Sequence, residues 1–272
     1  MWPVISFLGL TLPVAPLFAL LAFYVGSDLA TRALGRMATK QQRTAWQRIF
    51  SNASFAALVA GVIGARLGYA ARYYPIYLDA PQLLLSIRPG ALALLPGLMV
   101  GIAVGLLYLA RKNIPLLPVS DAVAIGAVAA LAVLSLGSFL TGEGYGTPTT
   151  APWAVELWGA TRHPVQLYEA ALLLAALGLL WRQQKHSASG ELFWHGVAYV
   201  SLVKLFVEAF RANTQIWLAG IRITQMVALL TLLAALYILS FYARQRQVKD
   251  SIVPPTVFAE EGDSYSVSHE VH

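Results

Sequence analysis

Apolar residues fall into seven long runs along the chain, separated by shorter segments that hold most of the charged residues. At a rise of 1.5 Å per residue, about 20 apolar residues in a helix cross a hydrocarbon core about 30 Å thick. The runs lack the strict alternation that a membrane barrel needs, so the pattern predicts transmembrane helices. The predicted spans are Val4 to Gly26, Ala53 to Tyr73, Gly90 to Ala110, Val119 to Leu140, Pro164 to Trp181, Leu192 to Phe210 and Ile223 to Tyr242.

Composition supports an all-α, polytopic membrane protein. The 272 residues are 58% hydrophobic and 12% charged, with a mean hydropathy of +0.63, which leaves too little polar surface for a soluble globule. No Lys or Arg precedes the first run, and it is longer than a signal-peptide core, so we expect a retained span. Cysteine is absent, so the chain offers neither a thiolate nucleophile nor a thiolate metal ligand. We expect no metal and no cofactor.

The basic residues between the spans predict the orientation. They fall on one side of the predicted membrane, which the positive-inside rule makes the cytoplasm. The amino terminus is then outside and the carboxyl terminus inside, in a multi-pass protein of the bacterial plasma (inner) membrane. The net charge of +6 is explained by topology, so we expect no nucleic-acid partner. Residues 1–249 form one predicted transmembrane domain, and residues 250–272 a disordered cytoplasmic tail.

Two spans carry glycines at four-residue spacing. Gly64 and Gly68 lie in the second span, and Gly97, Gly101 and Gly105 lie in the third. Small residues at this spacing let helix backbones approach closely, so we expect these glycines to serve helix packing.

Charged residues at membrane depth are costly unless they are paired or face water, and the sixth span holds three. Lys204, Glu208 and Arg211 lie at offsets of four and three and share one helical face, where they could pair with one another. In the second span Arg66 has no acidic partner on its own helix. It must find an acid on another helix, a backbone carbonyl or a ligand phosphate, and we expect a carboxylate, Glu208 or Glu169 above all.

The start of the fifth span is also polar. Arg162, Gln166 and Glu169 are predicted to share a face there. His163 is either a ligand or base, or an interfacial histidine that is simply solvated.

Topology places these polar residues at one depth. With the predicted orientation, Arg66, the turn around Glu143, the start of the fifth span and the end of the sixth all lie in the outer half of the bilayer. They predict a single positively biased cavity that opens to lipid headgroups and suits an anionic phospholipid.

The same segments carry a family resemblance. Residues 64–69 resemble the GARLGY segment of the bacterial prolipoprotein diacylglyceryl transferases, and residues 162–169 resemble their RHPSQLYE segment. Residues 136–146 are similar to the RLGNFINGE signature with its trailing glycine, and residues 208–211 to the EFFR segment. The similarity extends from about Ala53 to Tyr242.

This resemblance implies an activity and its partners. Members of the family move a diacylglyceryl group from phosphatidylglycerol to the lipobox cysteine of a prolipoprotein, at its signal peptide, and release glycerol phosphate. The implied catalytic residues are His163, Glu169 and Glu208. The implied headgroup-binding residues are Arg66, Glu143, Arg162, Lys204, Arg211, Ser135 and Ser138.

Several positions depart from the family pattern and leave an alternative open. The catalytic histidine of the HGGL segment has no counterpart near Pro96, and Ser135 and Ser138 stand where the signature has Arg and Asn. Lys204 stands in place of an Arg. The alternative function is an impaired homologue that binds phospholipid as an accessory protein. A small-solute transporter is disfavoured, because the inner halves of the third and seventh spans offer almost no polar residues.

Overall fold

The structure is a computed structural model that describes residues 4–7, 10–85, 92–212 and 222–252. Eight α-helices, one 3-10 turn (Pro81–Leu85) and two short hairpins make up this part of the chain. The helices are α1 (Val14–Met37), α2 (Arg43–Arg72), α3 (Tyr74–Asp79), α4 (Leu94–Arg111), α5 (Leu116–Thr141), α6 (Val165–Gln183), α7 (Glu191–Glu208) and α8 (Ile223–Ile252). The strands are β1 (Val4–Phe7), paired with β2 (Leu10–Pro13), and β3 (Val155–Leu157), paired with β4 (Ala160–Arg162).

Six of the described helices are long and apolar enough to cross a membrane, namely α1, α2, α4, α5, α6 and α8. Helix α7 is the sixth predicted span, and its 18 residues include Glu191, Lys204 and Glu208. Because α7 is only 18 residues long, all three charges fall within it, whereas each of the six other long helices has an 18-residue stretch with at most two charged residues. The protein is therefore a multi-pass membrane protein with a predominantly helical fold.

The first predicted span was placed wrongly. Residues 4–7 and 10–13 form an antiparallel hairpin, and the helix begins at Val14. Pro13 precedes that helix and Pro16 lies in its first turn, where a missing amide hydrogen is tolerated. The helix continues to Met37, and near its end the Arg36 guanidinium lies 4.0 Å from the centre of the Trp181 ring.

Other predicted boundaries also need correction, and two short hairpins accompany the helices. Helix α2 begins at Arg43 rather than at Ala53, and α8 extends through residues 250–252, which were assigned to the disordered tail. The rest of that tail and Gly90, the predicted start of the third span, lie outside the described residues. The β3–β4 hairpin was missed because its strands have only three residues each.

The glycine pattern of the second and third spans was interpreted correctly. Helices α2 and α4 pack closely on each other. A methyl group added at Gly97 would lie 2.7 Å from the Ala65 Cβ atom, and one at Gly101 would lie 2.9 Å from the Ala57 carbonyl. Neither distance is possible without a shift of the backbone, so the small residues make this close contact possible.

A second close crossing joins α1 to α5 at Gly26 and Gly126. A Cβ atom at Gly26 would lie 2.7 Å from the Gly126 carbonyl oxygen and 3.0 Å from the Ala130 Cβ atom. We therefore expect Gly26→Ala to lower the free energy of unfolding by about 1–3 kcal/mol through overpacking. Denaturant unfolding in detergent measures this change.

Gly178 on α6 provides the matched control, since nothing lies within 4 Å of a Cβ atom added there. Gly178→Ala is expected to leave stability unchanged or to raise it by up to about 1 kcal/mol. Equal losses in the two variants would contradict the tight crossing.

Helix α7 begins on a carboxylate that the sequence analysis did not single out. Asp121 of α5 is 2% exposed. Its Oδ2 atom accepts a hydrogen bond from the Gly190 amide at 2.6 Å, and its Oδ1 atom accepts one from the Phe193 amide at 2.9 Å. A carboxylate at this end of a helix satisfies otherwise unpaired amides and interacts favourably with the helix dipole.

Asp121→Ala should lower the free energy of unfolding by about 2 kcal/mol, because two buried amides lose a charged acceptor. Asp28→Ala is the control, since Asp28 pairs with Arg32 on an exposed surface, where such pairs contribute about 0.5 kcal/mol. Thermal unfolding of both variants in detergent tests the difference. An Asp121 variant as stable as the Asp28 variant would contradict the capping role.

Candidate active site

Two buried carboxylates and two cations form a cluster where α6 begins and α7 ends. We call Glu169, Lys204, Glu208 and Arg211 the charged cluster. The Glu169 side chain is 6% exposed, and its two oxygens accept hydrogen bonds from Lys204 Nζ and, at 2.7 Å, from an Arg211 terminal nitrogen. The Arg211 Nε atom lies 3.4 Å from a Glu208 carboxylate oxygen, an ion pair without the geometry of a hydrogen bond.

Helix α8 contributes two further partners to Glu208. Thr224 donates a hydrogen bond of 2.6 Å to its carboxylate, and Arg222 donates to its backbone carbonyl. The sequence pattern indicates neither contact, because the spacing of Arg222 and Thr224 at the start of the seventh span does not show which helix end they meet. The charged cluster therefore joins α6, α7 and α8.

The turn that follows α5 contains Gly142, Gly144 and Gly146 and lies against Arg211; we call it the glycine turn. Gly146 and Arg211 form a β-bridge, and Gly144 has a positive φ of 65°. A Cβ atom at Gly144 would lie 2.5 Å from the Arg211 NH1 atom, so the absence of a side chain lets the guanidinium lie against the turn. Within the described part of the chain NH1 has no hydrogen-bond partner, which leaves it able to bind an anion.

The cluster is arranged with the acids inside and one cation towards the surface. Glu169 and Glu208 are each 5% exposed as residues, whereas the Lys204 side chain is 40% exposed. With Arg222, three cationic side chains stand beside two carboxylates. The buried carboxylates thus orient cations whose remaining N–H groups can meet an incoming anion.

The possible pairing of the three charges within α7 is found only in part. Arg211 does contact Glu208, but Lys204 pairs with Glu169 of the neighbouring helix. Helices α6 and α7 pack against each other, so Glu169 lies within reach of both cations.

The predicted pairing of Arg66 with Glu208 or Glu169 is wrong. Arg66 donates a hydrogen bond to the Leu83 carbonyl and lies 5.8 Å from the centre of the Tyr77 ring. No ion pair or hydrogen bond joins Arg66 to the charged cluster within the described ranges. The reason is helix packing: α2 lies against α4 and α1, whereas the two acids belong to α6 and α7.

Arg162 lies in β4 rather than on the helical face predicted with Gln166 and Glu169. Its guanidinium donates to the carbonyls of Leu157, at 3.1 Å, and Gly146, at 3.3 Å. These bonds tie the hairpin to the glycine turn.

Glu143 and Gln166 meet through the backbone of that turn. The Glu143 side chain is exposed, and its carbonyl accepts a hydrogen bond of 2.7 Å from Gln166, which is 2% exposed. Gln166 thus fixes the position of the turn from inside the protein.

His163 belongs to a chain of hydrogen bonds beside the cluster. Its Nδ1 atom lies 3.2 Å from the Tyr168 hydroxyl, which accepts a hydrogen bond of 2.6 Å from Trp153. The His163 ring packs edge-on against Phe210, at 5.3 Å between ring centres. His163 is therefore half-buried and held in place by Tyr168 and Phe210. The tautomer of His163 determines whether its Nδ1 atom or the Tyr168 hydroxyl donates the hydrogen bond.

Ser135 and Ser138 lie on α5 at different depths. Ser135 is 6% exposed, and its hydroxyl donates to the Leu131 carbonyl of its own helix at 3.0 Å. Ser138 is half-buried near the helix end, and its carbonyl accepts a hydrogen bond of 3.0 Å from the Glu143 amide. Both serines therefore make hydrogen bonds within α5 or with the turn that follows it.

Comparison with known proteins identifies the family. The family model described as prolipoprotein diacylglyceryl transferase matches residues 3–241. The chain belongs to this family. The match includes every residue of the charged cluster and its partners Arg222 and Thr224.

Individual relatives agree. The chain is 31% identical to the phosphatidylglycerol--prolipoprotein diacylglyceryl transferase of Geobacter sulfurreducens over 72% of this chain and 76% of that protein. It is 30% identical to the transferase of the same name from Clostridioides difficile, over 66% of this chain and 72% of that protein. A Staphylococcus aureus transferase of this name is 26% identical over 80% of each chain.

Membership of the prolipoprotein diacylglyceryl transferase family gives the geometry a chemical context. A transferase of this kind must bind a phosphodiester lipid and stabilise a departing phosphate. The charged cluster supplies cations that buried acids hold in place.

Proposed function

We propose that this protein transfers the diacylglyceryl group of phosphatidylglycerol to the lipobox cysteine of a prolipoprotein and releases glycerol phosphate. The observation that carries the proposal is the charged cluster, with the Arg211 NH1 edge and Lys204 available to an anion. An anionic phospholipid supplies the phosphate that these cations suit.

The reaction forms a carbon–sulfur bond and breaks a carbon–oxygen bond. The acceptor thiolate attacks the glycerol carbon of the diacylglyceryl group that carries the phosphate, and the electron pair of the broken bond leaves on the phosphate oxygen. The thiol proton goes to a base or to water. A thiol of pKa about 8.5 is already a few per cent ionised at neutral pH, so stabilisation of the leaving phosphate is the larger requirement.

Arg211 and Lys204 are proposed to bind the phosphate, and Glu169 and Glu208 to hold these cations in place. His163 is proposed to assist proton removal through its contact with Tyr168. Arg162 and Glu143 are proposed to act by positioning the glycine turn. Arg66, Ser135 and Ser138 remain predicted headgroup contacts, made from α2 and α5.

A direct assay tests the transfer. Protein is incorporated in liposomes that contain phosphatidylglycerol and is supplied with a lipobox peptide, and mass spectrometry follows the diacylglyceryl adduct while glycerol phosphate is quantified. A peptide with Ser in place of Cys and liposomes of phosphatidylcholine are the controls. An unmodified peptide after prolonged incubation with excess folded protein would contradict the proposal.

The proposed membrane arrangement has seven spans, the six long apolar helices and α7, with the amino terminus outside the plasma (inner) membrane. Helix α7 packs against α5, α6 and α8, which supports its crossing despite its charges. The charged cluster then faces the outer leaflet.

Because the chain has no cysteine, single introduced cysteines report this orientation without background. In spheroplasts a membrane-impermeant maleimide should label Thr150→Cys, beside the β3–β4 hairpin. Lys40→Cys, in the turn between α1 and α2, should be labelled only after permeabilisation. Labelling of Lys40→Cys in intact spheroplasts would contradict the orientation. Both positions are exposed.

A further inference from the structure

A second polar site lies at the opposite end of the helices from the charged cluster. A cleft of about 390 Å³ opens where the turn between α6 and α7 meets α8. We call it the basic cleft, and its lining residues are Arg182, Gln183, His186, Ser187, Glu191, His195 and Arg246. At 1.5 Å per residue, Gln183 lies roughly 21 Å along α6 from Glu169, so the two sites are separate.

The single acid of the basic cleft is already satisfied. Glu191 is 5% exposed and accepts hydrogen bonds from Arg246 and, at 2.8 Å, from the Ala188 amide. Arg246 uses one terminal nitrogen for this contact and for the His186 carbonyl, at 3.1 Å. Its Nε and second terminal nitrogen have no partner among the described residues, and its side chain is 49% exposed.

The other side chains add positive charge or donors. Arg182 is exposed and makes no ion pair or hydrogen bond within the part of the chain that the structure describes. His195 Nδ1 lies 3.1 Å from the Glu191 carbonyl, which can only accept, so Nδ1 carries a proton and Nε2 faces away from that bond. His186 is exposed at the rim.

Two guanidinium groups around one cleft favour a tetrahedral oxyanion. Planar guanidinium groups bind phosphate in a bidentate manner, and a basic pocket at helix ends meets lipid headgroups at their own depth. Lys185 lies close in sequence to the cleft and adds to the positive field.

We propose that the basic cleft binds a phosphate group, supplied either by an anionic phospholipid of the adjacent leaflet or by free phosphate. The site does not depend on the transferase activity. Arg182 and the free edge of Arg246 bind the phosphate oxygens, and Glu191 holds Arg246 in place.

Native mass spectrometry of the full chain in detergent tests the lipid source, with phosphatidylglycerol or phosphatidylcholine added. The double variant Arg182→Gln, His186→Gln removes the positive charge of Arg182 and the imidazole of His186 and leaves the ion pair between Glu191 and Arg246 in place. We expect its affinity for one bound phosphatidylglycerol to fall about tenfold, whereas Arg244→Gln, outside the cleft, retains the affinity of the unmodified protein.

Thermal unfolding with millimolar inorganic phosphate tests whether free phosphate occupies the basic cleft. A rise in Tm for the unmodified protein that the double variant lacks would assign the cleft to free phosphate. Weaker lipid binding by the double variant, with no effect of phosphate on the Tm of either protein, would assign the cleft to a lipid headgroup. Unchanged lipid binding and unchanged phosphate response in the double variant, or equal losses in Arg244→Gln, would overturn the proposal.

Discussion

Arg211→Ala is expected to lower the rate of diacylglyceryl transfer by about 10²–10³-fold, the loss typical of removing one preorganised donor to developing negative charge. Arg211 joins Glu169 and Glu208 and presents NH1 beside Gly144. Without it the leaving phosphate loses a fixed cation, and Lys204 remains as a more exposed one. The rate of glycerol phosphate release in phosphatidylglycerol liposomes measures the effect.

Two further variants separate charge from geometry. Arg211→Lys keeps the charge but loses the planar fork, so it should recover only part of the activity. Arg244→Ala removes an exposed arginine at the far end of α8 and should leave the rate unchanged. Full activity of a folded Arg211→Ala variant would show that other residues bind the leaving phosphate.

Glu169→Ala is expected to lower the free energy of unfolding by about 3–5 kcal/mol, the cost of removing one partner from a buried ion pair. Glu169 is the common acceptor of Lys204 and Arg211, and its side chain is only 6% exposed. The variant leaves both cations without their main acceptor. Denaturant unfolding in detergent provides the measurement.

The conservative variant Glu169→Gln keeps the shape and one acceptor oxygen, so it should be destabilised by less than Glu169→Ala. Glu156→Ala is the control, because Glu156 is an exposed residue of β3 whose loss should change stability by less than about 0.5 kcal/mol. A Glu169→Ala variant as stable as the Glu156 control would show that the cluster contributes no net stability.

The residues of the charged cluster could be identified from the sequence because charge at membrane depth is rare and costly. Lys204, Glu208, Arg211 and Glu169 were all singled out from their place in apolar runs, and the structure brings them together. Their partners could not be assigned. Pairing depends on which faces of α6 and α7 meet, and periodicity within one helix does not contain that information.

Arg66 and Asp121 illustrate the same limit in two ways. Arg66 was expected to need a carboxylate, yet it donates to the Leu83 carbonyl, because α2 packs on α4 and away from the two acids. Asp121 lies near the start of an apolar run and attracted no prediction. Only the approach of α5 to the beginning of α7 makes it a cap for Gly190 and Phe193.

The sequence by itself determined the membrane class, the approximate helices, the glycine contact of α2 with α4, and the family resemblance that the comparisons confirm. These follow from hydropathy, residue size and local spacing, which act over a few turns of one helix. Only the tertiary structure decided the start of α1 after a hairpin, the partners of Glu169 and Glu208, and the basic cleft around Arg246. Each of these joins segments distant in sequence, and such contacts depend on how whole helices pack rather than on the residues of any one of them.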